Sequence, residues 1–134
     1  MNPDEYALTV CQILKNLGYS TVDVMTFLKT AYLLERIYYQ KTGRRLTSLS
    51  YYNYTYGPFN GILLEELEKL PSTGEDYTYS LENVTFKVEL PTDIIEDLRE
   101  ILLKFNCSFE LVAYVTNLPE VKNTPFGKEI PFTR

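Results

Sequence analysis

The chain contains no histidine, and among its 134 residues there are only two cysteines. Without His there is no ordinary general base, no imidazole metal ligand and no base for either common catalytic triad. Cys11 and Cys107 lie far apart, form no CxxC pair and have no His to complete a zinc site, so two buried thiols are expected. Long apolar runs are also missing: none approaches the roughly 20 residues of a bilayer span. Asp4 and Glu5 stand where a signal peptide would carry positive charge. There is no Walker loop, GxGxxG, HExxH or GxSxG. A formal net charge of -5 gives no general attraction for phosphate backbones. These absences point to a cytoplasmic, soluble, non-enzymatic protein with no cofactor, metal or membrane partner. The three Asn-X-Ser/Thr triplets at Asn53, Asn83 and Asn106 are then coincidental.

What is present suffices for one core, since 45% of the residues are hydrophobic. A single domain over 1–134 is expected. Asn2 can cap a first helix that carries Pro3, Asp4 and Glu5 in its first turn and runs to about Leu17, where Gly18 ends it. Ser20 or Thr21 can cap a second helix reaching about Thr42. Its apolar band, from Val24 to Tyr38, is too wide for a helix that touches the core on one side, so it should be central.

Between Leu46 and Tyr56 the residues become β-branched and aromatic. Tyr52, Tyr54 and Tyr56, two apart, fall on one face of an extended segment. Gly57-Pro58 is read as a break that opens a third helix, about Phe59 to Leu70. Tyr77–Tyr79 and Val84–Val88 read as a hairpin joined through Leu81-Glu82-Asn83. Thr92 caps a fourth helix to about Phe105, and a fifth runs from Ser108 to near Asn117. The tail, 119–134, holds three prolines and should wrap the surface without regular structure. The pattern is α+β and mainly helical: about five helices around a central one, with a small antiparallel sheet.

Three constellations carry the functional readings. Glu35 lies on an apolar stripe of the central helix. It serves either as an anchor for a ligand or a partner's Arg, or as an acceptor for a tyrosine hydroxyl, Arg44 or Arg45 of its own chain. Lys41, Arg44 and Arg45 beside Tyr38 and Tyr39 form the only basic and aromatic cluster. It suits phosphates with stacked bases, or else neutralises a helix C-terminus. Acidic residues on the third and fourth helices, from Glu65 to Glu68 and Asp93 to Glu100, are solvated faces or an electronegative rim for a basic partner.

Tyrosine dominates the composition, with twelve in the chain and six of them between positions 38 and 56. Its large apolar ring, polar tip and few rotatable bonds suit contact surfaces. The candidate contacts are therefore Tyr38, Tyr39, Tyr52, Tyr54, Tyr56 and Phe59. Two other classes stay open: a small nucleic-acid-binding regulator using Lys41, Arg44 and Arg45, and a carboxylate-dependent enzyme built on Glu35 or an acidic pair.

Three segments, taken in order, resemble the Panacea antitoxin domain, also called the SocA-like domain. They are Lys29-Thr30-Ala31-Tyr32-Leu33-Leu34-Glu35, Thr42-Gly43-Arg44-Arg45-Leu46 and Tyr54-Thr55-Tyr56-Gly57-Pro58-Phe59. The closing segment Lys122-Asn123-Thr124-Pro125-Phe126-Gly127 follows the same order. Two positions depart from the family pattern: Thr116-Asn117 stands in place of a Thr-His pair, and Phe126 in place of a Trp. The resemblance implies an antitoxin that neutralises a partner toxin, often encoded nearby, by direct protein contact.

Overall fold

The computed structural model describes residues 1–134. Six helices and four short strands follow the chain as α1 (Pro3–Asn16), β1 (Thr21–Asp23), α2 (Val24–Thr42), β2 (Tyr52–Tyr54), β3 (Gly57–Phe59), α3 (Gly61–Leu67), β4 (Thr78–Ser80), α4 (Thr92–Leu102), α5 (Ser108–Thr116) and α6 (Pro119–Lys122). The class is mainly helical α+β. No helix is long and apolar enough to cross a membrane.

α1 begins as its residues dictate. Asn2 Oδ1 accepts from Glu5 N at 3.0 Å, and Tyr6, Val10, Ile13 and Leu14 turn inward. α2 is the hub, buried continuously from Thr26 to Glu35 and touched by α1, α3, α4, α5, β1 and β3. It starts later than its sequence suggests. Thr21-Val22-Asp23 is extended, and Asp23 caps the helix, accepting from Thr26 N at 2.7 Å and Thr26 Oγ1 at 3.1 Å. Gly43, at φ 72°, ends it.

The expected hairpin of Tyr77–Tyr79 with Val84–Val88 does not form. Instead β4 pairs antiparallel with β1, matching Val22 to Tyr79, so the partner strand comes from far upstream. Residues 84–88 are held by side chains of α1: Lys15 Nζ donates to Val84 O at 2.7 Å, and Gln12 Oε1 accepts from Phe86 N at 2.9 Å. Alternation alone reveals extended backbone but not which edge it meets.

Gly57-Pro58 does not open a helix either. It belongs to β3, which pairs with β2 across Thr55-Tyr56 and matches Asn53 to Pro58. α3 starts after it, capped by Asn60, whose Oδ1 accepts from Leu63 N at 2.8 Å. The fourth helix also stops short of Phe105, and Pro91 rather than Thr92 precedes it.

The tail is more ordered than its prolines suggest. It opens on α6, then Glu129 bridges to Tyr52 and Ile130 N donates to Tyr51 O at 2.7 Å, adding a third extended segment to the hairpin. Both cysteines are free thiols. Cys11 is buried, whereas Cys107 is exposed, because it sits just ahead of α5 rather than on an inward face.

Candidate interaction surface

Three of the tyrosines singled out in the sequence share the β2–β3 hairpin and face solvent. Tyr52 is 38% exposed and Tyr54 42%, on the common face that their two-residue spacing along β2 gives them, and Tyr56, in the turn, is 54% exposed. Phe59 is half-buried beside them, its ring edge-to-face with Tyr54 at 5.5 Å between centroids. Phe126 also meets Tyr54 edge-to-face, at 5.6 Å between centroids, and is itself 70% exposed. Asn53 fixes the hairpin to the tail: its Nδ2 donates to Val121 O at 3.1 Å and Thr124 O at 2.8 Å.

Between the hairpin and the first turns of α2 lies an apolar groove of about 340 Å³. Val24, Met25 and Leu28 form one wall and Tyr54, Tyr56 and Phe59 the other, with Lys29 the only charged residue in its lining. A second hollow of about 400 Å³ shares Val24, Met25 and Tyr56 with it and continues to Tyr77 and Phe109. Tyr77 and Phe109 are among the most exposed large side chains of the molecule, at 77% and 67%. Tyr77 also holds a left-handed backbone at φ 57°, a conformation that a bulky residue adopts only under constraint. Its carbonyl accepts from Val24 N at 3.0 Å, which ties this strained tyrosine to the start of α2.

Lys29 is only 2% exposed, and its ammonium donates to Pro58 O at 2.9 Å. Burial pulls its amine down to about 7, against a smaller opposing pull from Asp23. Gly57, beside this contact, takes a left-handed backbone at φ 90°, and a Cβ there would crowd Thr116 Cγ2 at 3.0 Å.

The other sequence candidates lie elsewhere. Tyr38 and Tyr39 are half-buried near the C-terminal end of α2, about 20 Å along the helix from Met25 at 1.5 Å rise per residue. Tyr39 packs on the tail, with its ring 6.0 Å from Phe132. Thus the 38–56 tyrosines do not form one surface.

Glu35 is fully buried and serves its own chain. It accepts from Leu46 N at 2.6 Å, Thr47 N at 3.1 Å, Thr47 Oγ1 at 2.5 Å and Arg45 Nη2 at 3.2 Å. Arg45 also donates to Leu49 O at 2.6 Å and lies 3.8 Å over the Phe132 ring. Lys41 pairs with Asp97 at 2.7 Å and Asp93 at 3.3 Å on α4. The basic cluster is therefore divided: Arg45 faces the interior, Lys41 is tied to α4, and Arg44 alone has no side-chain partner.

The chain matches no family model, no curated protein and no solved structure.

Two functional side chains were not evident from residue patterns. Lys29 entered only as part of the family-like segment, since a lysine inside an apolar band gives no sign of its depth. Glu120, in the tail, is nearly buried and accepts from Tyr32 Oη at 3.2 Å and from Arg36 Nε. Burial is the largest single influence and opposes its ionisation, but the hydrogen bonds from Arg36, its own backbone and Tyr32, together with the charge of Arg36, outweigh it and hold the carboxyl below its ordinary range. That pair fastens α6 to α2.

Proposed function

We propose that this chain is an antitoxin-like domain that neutralises a partner toxin by direct contact through the aromatic surface around the Tyr54–Tyr56 hairpin. The observation that carries this reading is the continuity of exposed rings. Tyr54 and Tyr56 line the apolar groove, Tyr56, Tyr77 and Phe109 line the hollow that adjoins it, and Phe126 packs against Tyr54. A contiguous apolar patch of this kind costs solubility and marks an interaction face. Tyrosine anchors and a strained Tyr77 suit a preorganised contact surface.

The resemblance to the Panacea domain supports the same surface, because its most specific element, Tyr54 to Phe59, forms the hairpin itself. The departure at Phe126 keeps an exposed aromatic ring there. The departure at Asn117 places an amide that donates to Ala113 O at 2.7 Å, closing the end of α5. The acidic residues of α4 stand apart from the hairpin, with Asp93 and Asp97 engaged by Lys41. The nucleic-acid reading loses its basis once Arg45 and Lys41 are occupied within the chain. The carboxylate-enzyme reading loses Glu35 in the same way.

The test is co-expression with the product of a neighbouring gene that arrests growth on its own. Rescue by the wild type, and its loss in a folded Tyr54→Ser, Tyr56→Ser variant, is the expected result. Rescue that is indifferent to the double substitution overturns the surface assignment.

A further inference from the structure

The two partly buried arginines have a carboxylate within ion-pair reach, Arg36 with Glu120 and Arg45 with Glu35, and the exposed Lys41 has Asp93 and Asp97. Half-buried Lys15 has no acid but donates to two carbonyls, of Glu82 and Val84. Lys29 is the most deeply buried of these cations and has neither: its one hydrogen bond goes to the neutral Pro58 carbonyl. An ammonium carries three donors, and removing it from water without a counter-charge is costly. Asp23, the nearest acid with an influence on it, already uses both carboxylate oxygens to cap α2. Burial of the amine lowers its proton affinity, as an ammonium short of a counter-charge requires.

Resting on the functional reading above, we infer that the groove beside Lys29 receives a segment of the protein partner carrying an acidic side chain between apolar neighbours, the carboxylate pairing with Lys29 Nζ. The walls formed by Met25, Leu28, Tyr54 and Tyr56 accept the apolar neighbours. Charge sets the direction of the segment. Asp76 lines the adjoining hollow but not the groove and repels an acid there, so the carboxylate belongs at the Lys29 end. The occupant supplies the missing counter-ion, which makes this site selective for an acid over its amide rather than merely greasy.

The test uses the whole chain and three probes followed by NMR: the capped tripeptides acetyl-Phe-Glu-Phe-amide and acetyl-Phe-Gln-Phe-amide, and free 3-phenylpropionate. The Glu peptide should perturb Lys29, Met25 and Tyr56 and bind at least about tenfold tighter than the Gln peptide, a difference of about 1.4 kcal/mol. Lys29→Met should bring that ratio close to one. Tyr56→Ser should weaken both peptides and preserve the ratio. Equal binding of the two peptides, a preference that survives Lys29→Met, or no perturbation of the groove overturns the proposal. Tighter binding of 3-phenylpropionate than of the Glu peptide overturns the peptide occupant and assigns the groove to small carboxylic acids. If growth rescue depends on Tyr54 and Tyr56 but the peptides show no Glu preference, the antitoxin reading stands and only this inference fails.

Discussion

The Lys29 ammonium meets the Pro58 carbonyl at 2.9 Å, joining the second turn of the central helix to the strand that frames the exposed hairpin. Through this contact the aromatic groove is built over a buried cation. The sequence elements that resemble an antitoxin family, the Lys29 helix and the Tyr54–Phe59 segment, touch each other at this point.

Lys29 makes stability depend on pH in a direction opposite to that of a salt-bridged lysine. Its amine is lowered in the folded state from 10.5 to about 7, so between those values the unfolded chain binds more protons. Stability therefore rises with pH across that window, by at most about 1.4 kcal/mol per pH unit. Cys11, pushed from 9.0 to about 12 by burial, acts the other way once the unfolded thiol ionises. Urea unfolding of the wild type should show stability climbing from about pH 7 to about pH 9, then levelling or falling. Lys29→Met should remove the climb. A wild-type profile that is flat over this range contradicts the buried-amine account.

Glu35 should be the most stability-critical acid. Glu35→Ala orphans two backbone N–H groups, the Thr47 hydroxyl and the Arg45 guanidinium. Removing one partner of a buried charged network costs about 3–5 kcal/mol. Arg44→Ala, at an exposed side chain, should stay within about 0.5 kcal/mol. Denaturant midpoints of the two variants measure the contrast, and comparable small losses would contradict the network as described.

Much of this was legible in the chain. The helices announced themselves through caps and 3.6-residue spacing, as in Asn2 with Tyr6, Val10 and Leu14. That Tyr52 and Tyr54 share one face followed from their two-residue period, but that this face is the exposed one did not. Strand pairing did not follow, because a three-residue strand such as Thr78–Ser80 carries too little pattern to name its partner, Thr21–Asp23. Nor did the tail. Phe132 reaches back to rings at positions 32, 39 and 51, contacts that no local period encodes.

Phe132→Ala tests that tail. The ring packs on Tyr32 and Tyr51 at 5.6 and 5.9 Å and lies under Arg45. Its loss should cost about 2–3 kcal/mol, the lower end for a large-to-small change at a half-buried aromatic. Amide exchange near Tyr51, whose carbonyl accepts from Ile130, should accelerate. Unchanged stability would mean that the tail adds no more than a loose cover.

Tyr77 should trade stability for contact. Replacing it with Gly relieves a left-handed backbone and should stabilise the fold by about 1 kcal/mol. The same change deletes an exposed ring beside the groove and should weaken rescue. Thermal unfolding and growth rescue of Tyr77→Gly read the two effects separately. Loss of stability would show that the ring has a structural role instead.

The central claim is that this domain silences a toxin through its exposed hairpin. The most direct measurement is growth of cells co-expressing the neighbouring gene's product with the wild type or with Tyr54→Ser, Tyr56→Ser, each variant first shown to be folded by its urea transition. The account predicts arrest without the domain, recovery with the wild type and renewed arrest with the double variant. Recovery with both forms, or no arrest to relieve, would contradict it.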